Sequence, residues 1–192
     1  ACSPLALSGE PRIAALSWEP AEHLLQLGIT PLTVADAPDY RDWVVRPTLP
    51  ADVVNAGSRT EPNLERLAQL RPELILITPL LEDIRAPLER IAPVLSYGDL
   101  TQKQDNLELQ RSNYLDLAAR LQRSDLANRR LRQMQQRIDA LRQQLLVHFA
   151  GELPKVTLIR FASATQVYIF GPNSLPQHAM TLLGLQPAQA VP

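Results

Sequence analysis

Leu74-Ile75-Leu76-Ile77-Thr78 is an unbroken apolar run closed by a threonine, with two β-branched isoleucines and no charge. Pro72 and Pro79 bracket it. A strand with one wet face alternates apolar and polar residues. A run with no polar face reads instead as a strand covered on both sides, as in a parallel sheet. Helices must then lie above and below it, and the flanking sequence should supply them.

It does so on both sides. Arg12–Ser17, Leu32–Ala35, Val53–Asn55 and Val94–Tyr97 read as further short strands. Between them, Pro20–Leu27 places Leu24, Leu25 and Leu27 on one helical side, and Gly28 is a helix stop. Glu61–Leu70 turns Leu64, Leu67, Ala68 and Leu70 inward, with Pro62 in its first turn and Thr60 as N-cap. A short helix near Pro87–Ile91 follows. Strands alternating with helices give an α/β fold: a parallel-sheet, Rossmann-like N-terminal lobe with short crossovers.

The texture changes after Thr101. Residues 102–121 read as helix, and Ser124 caps a long helix reaching Phe149. In it Leu131, Met134, Ile138, Leu141, Leu145 and His148 recur at three- and four-residue steps, a thin apolar stripe. At about 1.5 Å per residue this helix is ~39 Å long. It is read as a connector touching more than one body; a coiled-coil dimer seam is the alternative. Gly151 ends it. Val156–Phe161 and Gln166–Phe170 then read as strands, Phe170-Gly171-Pro172-Asn173-Ser174-Leu175 feeds a helix ending near Gly184, and Gln186–Pro192 shows no pattern. The expected organisation is an N-terminal lobe over 1–122, a connecting helix over 123–150 and the first part of a second α/β lobe over 151–192. Two strands and a helix make a poor independent core, so the second lobe reads as incomplete.

Composition excludes more than it selects. Of 192 residues, 45% are hydrophobic and the net charge is −1. Residues 1–100 carry −6 and residues 101–192 carry +5. The basic half owes this to a solvated helix face holding Arg129, Arg130, Arg132, Arg137 and Arg142, without the aromatic interleaving of a nucleic-acid site. No run is long enough for a membrane span. The single cysteine, Cys2, forbids an intrachain disulfide and is either a lipid-attachment remnant or an incidental thiol. His23, His148 and His178 lie far apart, and no HExxH, CxxC, GxSxG, P-loop or GxGxxG is present. His23 reads as structural. Glu82-Asp83 and Glu152 sit in loops with nothing to tune them. The chain is not read as an enzyme.

A binding site is easier to find. Open α/β sheets hold ligands beyond the carboxyl ends of their strands. Those segments here contain Trp18, Tyr40, Trp43 and Arg59. Aromatic walls with one guanidinium suit a ligand with apolar bulk and exposed oxygen acceptors. Each residue has a plainer role: Trp18 packing over a helix start, Trp43 closing its loop, Arg59 pairing with Glu61 or Asp36.

At this point the residues resemble a known family. Arg12-Ile13 with Ala15-Leu16 and Trp18, Leu24-Leu25 with Leu27-Gly28-Ile29, Val34-Ala35-Asp36 with Tyr40-Arg41 and Trp43-Val44, Arg59-Thr60-Glu61-Pro62-Asn63-Leu64-Glu65, Arg90-Ile91-Ala92-Pro93, and Phe170-Gly171-Pro172-Asn173-Ser174-Leu175 occur in order. Together they resemble the periplasmic ferric-hydroxamate (ferrichrome-type) siderophore-binding proteins of the helix-linked class. The resemblance implies two α/β lobes joined by one long helix, a shallow cleft between them, and delivery of the ferric siderophore to an inner-membrane ABC permease. It implies that Arg59 donates to hydroxamate oxygens and that Trp43 lines the cleft. Iron(III) would arrive only as the chelate, with no cofactor bound directly, to a monomer in the periplasm. The family's cleft tyrosine falls on Leu81. Its permease-docking glutamate falls on Ala86, with Glu89 or Asp83 as substitutes. The family continues well past Pro192, so the chain reads as truncated. A catecholate, haem or cobalamin ligand, or a non-binding interaction module, are the alternatives.

Overall fold

The structure is a computed structural model and describes residues 11–98 and 105–188. Cys2, and with it the lipid-attachment expectation, lies outside the described residues. Two compact units are present: residues 11–98 with 112–127, and residues 105–111 with 128–188.

The first unit holds β1 (Ile13–Ala15), α1 (Trp18–Gln26), β2 (Thr33–Val34), α2 (Ala37–Asp39), β3 (Val54–Asn55), α3 (Leu64–Leu70), β4 (Leu74–Ile77), α4 (Arg85–Glu89) and β5 (Val94–Ser96). The strands form one sheet in the order β3-β2-β1-β4-β5, every pair parallel. Ala14 lies opposite Thr33 on one side and Ile75 on the other, which fixes the register at the centre. All four residues of β4 are fully buried, as an uninterrupted apolar run requires. Ala14, Leu16, Ile75 and Ile77 share one sheet face and pack with Leu67 of α3 and Leu88 of α4. Alternation turns Ile13, Ala15, Leu74 and Leu76 to the other face.

α3 begins later than its sequence suggests. Asn63, not Thr60, is the N-cap, its Oδ1 accepting the Arg66 N–H at 2.8 Å. The Asn63 N–H donates to the Ala56 carbonyl at 2.8 Å, so the loop closes on β3 before the helix starts. Pro62 bridges Gly57 within that closure. Thr60 instead shares a hydroxyl contact of 2.9 Å with Ser58.

α5 (Asn106–Arg120) and α6 (Ser124–His148) each contribute residues to both units. In the first unit Tyr114, Leu117, Ala118, Leu121 and Ala127 are buried. The His23 ring lies 5.4 Å from that of Tyr114, which gives His23 a packing role. Asp116 Oδ2 accepts from Tyr97 Oη at 2.8 Å and from Arg120 Nε at 2.7 Å.

The second unit adds β6 (Lys155–Val156), β7 (Ile159–Phe161), β8 (Val167–Ile169), α7 (Leu175–Leu182) and β9 (Gln186–Pro187). The run Val156–Phe161 is not one strand. Val156 pairs in parallel with Pro187, and Ile159–Phe161 pairs antiparallel with β8. The segment from Gln186, which shows no pattern in sequence, thus supplies β9. Asn173 organises the Phe170–Leu175 block: its Oδ1 accepts the Asn106 N–H at 3.1 Å and its carbonyl accepts Asn106 Nδ2 at 2.9 Å. Ser174 caps α7 by accepting the Gln177 N–H.

Candidate functional site

In the first unit the chain runs outward from β1 to β2 and β3, then returns to add β4 and β5 on the other side. The reversal falls between β1 and β4, and the crevice beyond their carboxyl ends is where such sheets bind ligands. Trp18 follows β1, Asp36 follows β2 and Arg59 follows β3. The structure brings these three together.

Arg59 lies over Trp18, with Cζ 3.6 Å from the ring centroid, well within cation–π range. Asp36 fixes it from the side: one carboxylate oxygen, Oδ2, accepts both the Arg59 backbone N–H and Nε, each at 3.1 Å. Of the two partners open in sequence, Glu61 and Asp36, the pairing is therefore with Asp36. Asp36 can do this because its backbone is left-handed, φ 48°, and its N–H donates to the Gly57 carbonyl at 2.7 Å. Gly57 has φ 98°, and a Cβ there would meet the Asn63 backbone nitrogen at 2.9 Å. Only glycine fits that clasp. Trp18 is locked in turn, its indole N–H donating to the Ala35 carbonyl at 3.2 Å. The ion pair is partly exposed, the two side chains being 39% and 25% accessible. Such a pair contributes little to stability, ~0–1 kcal/mol. Its consequence is orientation: Nε is committed to Asp36, and the guanidinium carbon sits over Trp18.

Trp43 belongs to a single π-helical turn, Tyr40–Val44, and is 79% exposed. The turn beneath it is fastened. Arg41 Nη2 donates to the carbonyls of Pro50 at 2.7 Å and Val53 at 3.1 Å, and Val45 N–H closes the turn on Tyr40. Tyr40 is fully buried, meets Trp18 edge-on at 6.2 Å, and donates its hydroxyl to the Pro47 carbonyl at 2.9 Å. It supports the site from below and is not a surface for a ligand. Burial, and then the neighbouring Glu22, push its phenol pKa upward.

Leu81 is also misplaced by the sequence reading. It is 2% exposed and packs in the core with Ile77 and Leu88. The exposed leucine beyond β4 is Leu80, at 61%. The cause is the 3₁₀ turn Pro79–Ile84, started by the Leu81 N–H donating to Thr78, which rotates position 81 inward. The proline after a buried strand was the available signal.

The acidic candidates sit further along. Asp83 and Glu89 are exposed, and Glu89 accepts from Arg85 Nη1 at 3.2 Å. Glu82 takes Arg85 in a two-pronged contact at 2.7 and 3.0 Å. That hydrogen bonding, from Arg85 first and then Ser96, holds the Glu82 carboxyl down at about 2. In α1, burial and then Glu19 push Glu22 up to about 7. Among the described residues no group of three His, Cys, Asp or Glu could hold a metal ion, and no helix is long and apolar enough to cross a membrane.

An oriented guanidinium with aromatic and aliphatic surfaces, on the carboxyl edge of a parallel sheet, can bind acceptor-rich ligands. Fold and site thus define a ligand-binding α/β protein. The chain belongs to the periplasmic binding protein family, which matches residues 13–191. It is similar to the iron(3+)-hydroxamate-binding protein FhuD of Escherichia coli, 36% identical over 91% of this chain and 57% of that protein. It also resembles the achromobactin-binding periplasmic protein of Dickeya dadantii, 29% identical over 90% of this chain and 55% of that one. Among solved structures, the Fe3+–Desferal-bound siderophore-binding protein FhuD from Vibrio cholerae superimposes with a TM-score of 0.92 at 35% identity, covering 96% of this chain and 69% of that one. The chain thus spans little more than half the length of these two curated relatives.

Proposed function

We propose that the chain is part of a periplasmic protein that binds a ferric hydroxamate siderophore and delivers it to an inner-membrane ABC importer. The observation that carries this is Arg59, clamped by Asp36 and seated on Trp18 at the carboxyl edge of the sheet. Relatives named for hydroxamate binding and for bound Fe3+–Desferal support the choice of ligand. In this reading Arg59 donates to the iron-bound hydroxamate oxygens, Trp43 and the outer face of Trp18 supply aromatic wall, and Leu80 supplies an aliphatic one. Tyr40 and Leu81 act only by holding these in place. Iron enters as cargo within the chelate, and the protein performs binding and no catalysis. Residues 1–122 form the first lobe, 123–150 the connector and 151–192 the beginning of a second lobe. Glu89 and Asp83 are the candidates for permease docking, by a monomer.

Titration of the complete protein with a ferric trihydroxamate, followed by tryptophan fluorescence, tests this. Saturable quenching is expected, with Arg59→Ala weakening it ~100-fold, the scale of a lost charge-assisted hydrogen-bonding group. No saturable change, or an Arg59→Ala protein that binds as the parent does, would refute it. A second reading keeps the transport class and changes the chelate. The achromobactin-binding relative favours it, and a competition panel of chelates separates the two.

A further inference from the structure

Asp36 does more than sit beside Arg59. One of its carboxylate oxygens receives both the backbone N–H and the Nε of the arginine. The guanidinium carbon sits 3.6 Å from the ring centroid of Trp18. The terminal nitrogens remain for a ligand, but the charge they present is largely cancelled by the carboxylate next to them. Among the described residues of the strand-end segments, the other arginines are Arg41, Arg46 and Arg85, and Arg46 is the exposed one. Arg41 is turned away to the carbonyls of Pro50, Ala51 and Val53, and Arg85 is held between Glu82 and Glu89. Acidic residues stand in the same strand-end segments at Asp39, Asp42, Glu61 and Asp83. The site therefore offers oriented hydrogen-bond donors with little net positive charge.

That combination selects among iron chelates by charge. Three hydroxamate monoanions cancel the charge of iron(III), so the complex is neutral at the metal and displays acceptor oxygens. Three catecholate dianions leave the complex a trianion. A donor already paired with a carboxylate loses little on meeting a neutral acceptor. A trianion meets that carboxylate and its acidic neighbours, Asp39, Asp42, Glu61, Glu82 and Asp83, which with Asp36 outnumber Arg41, Arg46, Arg59 and Arg85 in these segments, and juxtaposed like charge is strongly unfavourable. We infer that Asp36 is a positioning and specificity residue: it aims Arg59 and sets the site's charge so that neutral ferric chelates are taken and polyanionic ones are rejected. The inference rests on the proposed role of Arg59.

The test compares Asp36→Asn, Asp36→Glu and Arg59→Ala in the complete protein. Each is titrated with a neutral ferric trihydroxamate and with a ferric tricatecholate, at low and high salt. Asparagine accommodates the left-handed backbone and can still accept one N–H. The expected result for Asp36→Asn is about a 10-fold loss for the hydroxamate and about a 10-fold gain for the catecholate. That gain should shrink at high salt as screening sets in. Asp36→Glu keeps the charge but changes the reach, so it should weaken both chelates and leave their ratio near that of the parent. An unchanged ratio in Asp36→Asn, or equal losses for both chelates, would overturn the charge role. Should Arg59→Ala bind hydroxamate normally, the proposed function itself fails. Should Arg59→Ala lose binding while the Asp36→Asn ratio stays put, only the present inference fails.

Discussion

β4 and β7 are both short and rich in apolar residues, yet Leu74–Ile77 is wholly buried and Ile159–Phe161 is wholly exposed. β4 has a parallel neighbour on each side and helices on both faces. β7 has one antiparallel partner, and the face formed by Ile159, Phe161, Val167 and Ile169 is open to solvent among the described residues. Among the described residues, apolar sequence thus makes a strand in both places but a covered one only in β4. What differs is layering: α3 and α4 seat Leu67 and Leu88 on the sheet that contains β4. The site follows the same division, because its residues stand on loops rooted in the layered sheet.

The contrast can be tested from the largest effect to the smallest. Leu76→Ala in β4 should cost ~3 kcal/mol of unfolding free energy in urea, as a fully buried leucine truncated in a packed layer does. A loss below ~1 kcal/mol would mean the sheet is far looser than its burial implies. Gly57→Ala should cost ~2 kcal/mol, because the residue has φ 98° and its new Cβ would press on the Asn63 nitrogen. It should also disturb Arg59, which a change in near-ultraviolet circular dichroism from Trp18 would report. Glu22 gives a pH signature confined to the first unit. Its carboxyl is pushed up to about 7 in the fold, above the ordinary glutamate value of about 4.5. The folded state therefore holds the proton more tightly than the unfolded one. The associated stability is fully present below about pH 4.5 and is lost as pH rises through about 7. Glu22→Gln should remove this slope and gain ~1–2 kcal/mol at pH 8 after allowance for solvent screening. Asn63→Ala should cost ~1 kcal/mol through its lost cap. Phe161→Ala, at a side chain 75% exposed, should change stability by less than ~0.5 kcal/mol. A larger loss there would show that the open face is covered in solution.

How far the sequence carried this picture depends on where each element gets its stability. Leu74–Ile77 was legible because a doubly buried strand needs no partner to be recognised. Strand edges came out one or two residues long, since hydrogen-bond pairing, not apolarity, ends a strand. The cap of α3 was misread at Thr60 because that choice is made by a tertiary bond from Asn63 to Ala56. β9 was invisible: two residues, one a proline, become a strand only by lying beside Lys155–Val156. In the site, Trp18 and Arg59 do come together after their strands, as their sequence positions suggest, and Trp43 lies exposed on the turn that follows β2. Tyr40 was found too, but its burial reversed its role. Leu81 came from the resemblance alone, and position-by-position correspondence says nothing of which way the 3₁₀ turn Pro79–Ile84 directs it; the turn buries it. Asp36 was one of two open partners for Arg59, and only the left-handed backbone at that residue decides between them.

Arg41 commits its guanidinium to the backbone beneath Trp43, and that has a consequence for how the turn behaves in time. Its guanidinium ties the turn to Pro50, Ala51 and Val53. Most of the backbone entropy of an ordered aromatic platform is therefore surrendered when the chain folds, and little is left to lose on contact. In the proposed function, a molecule stacking on Trp43 would meet a finished wall, and capture would proceed as a collision between shaped bodies, with no loop to wait for. Cutting that tether should leave the indole in place on average but slow its productive encounters, separating association rate from the strength of the final grip.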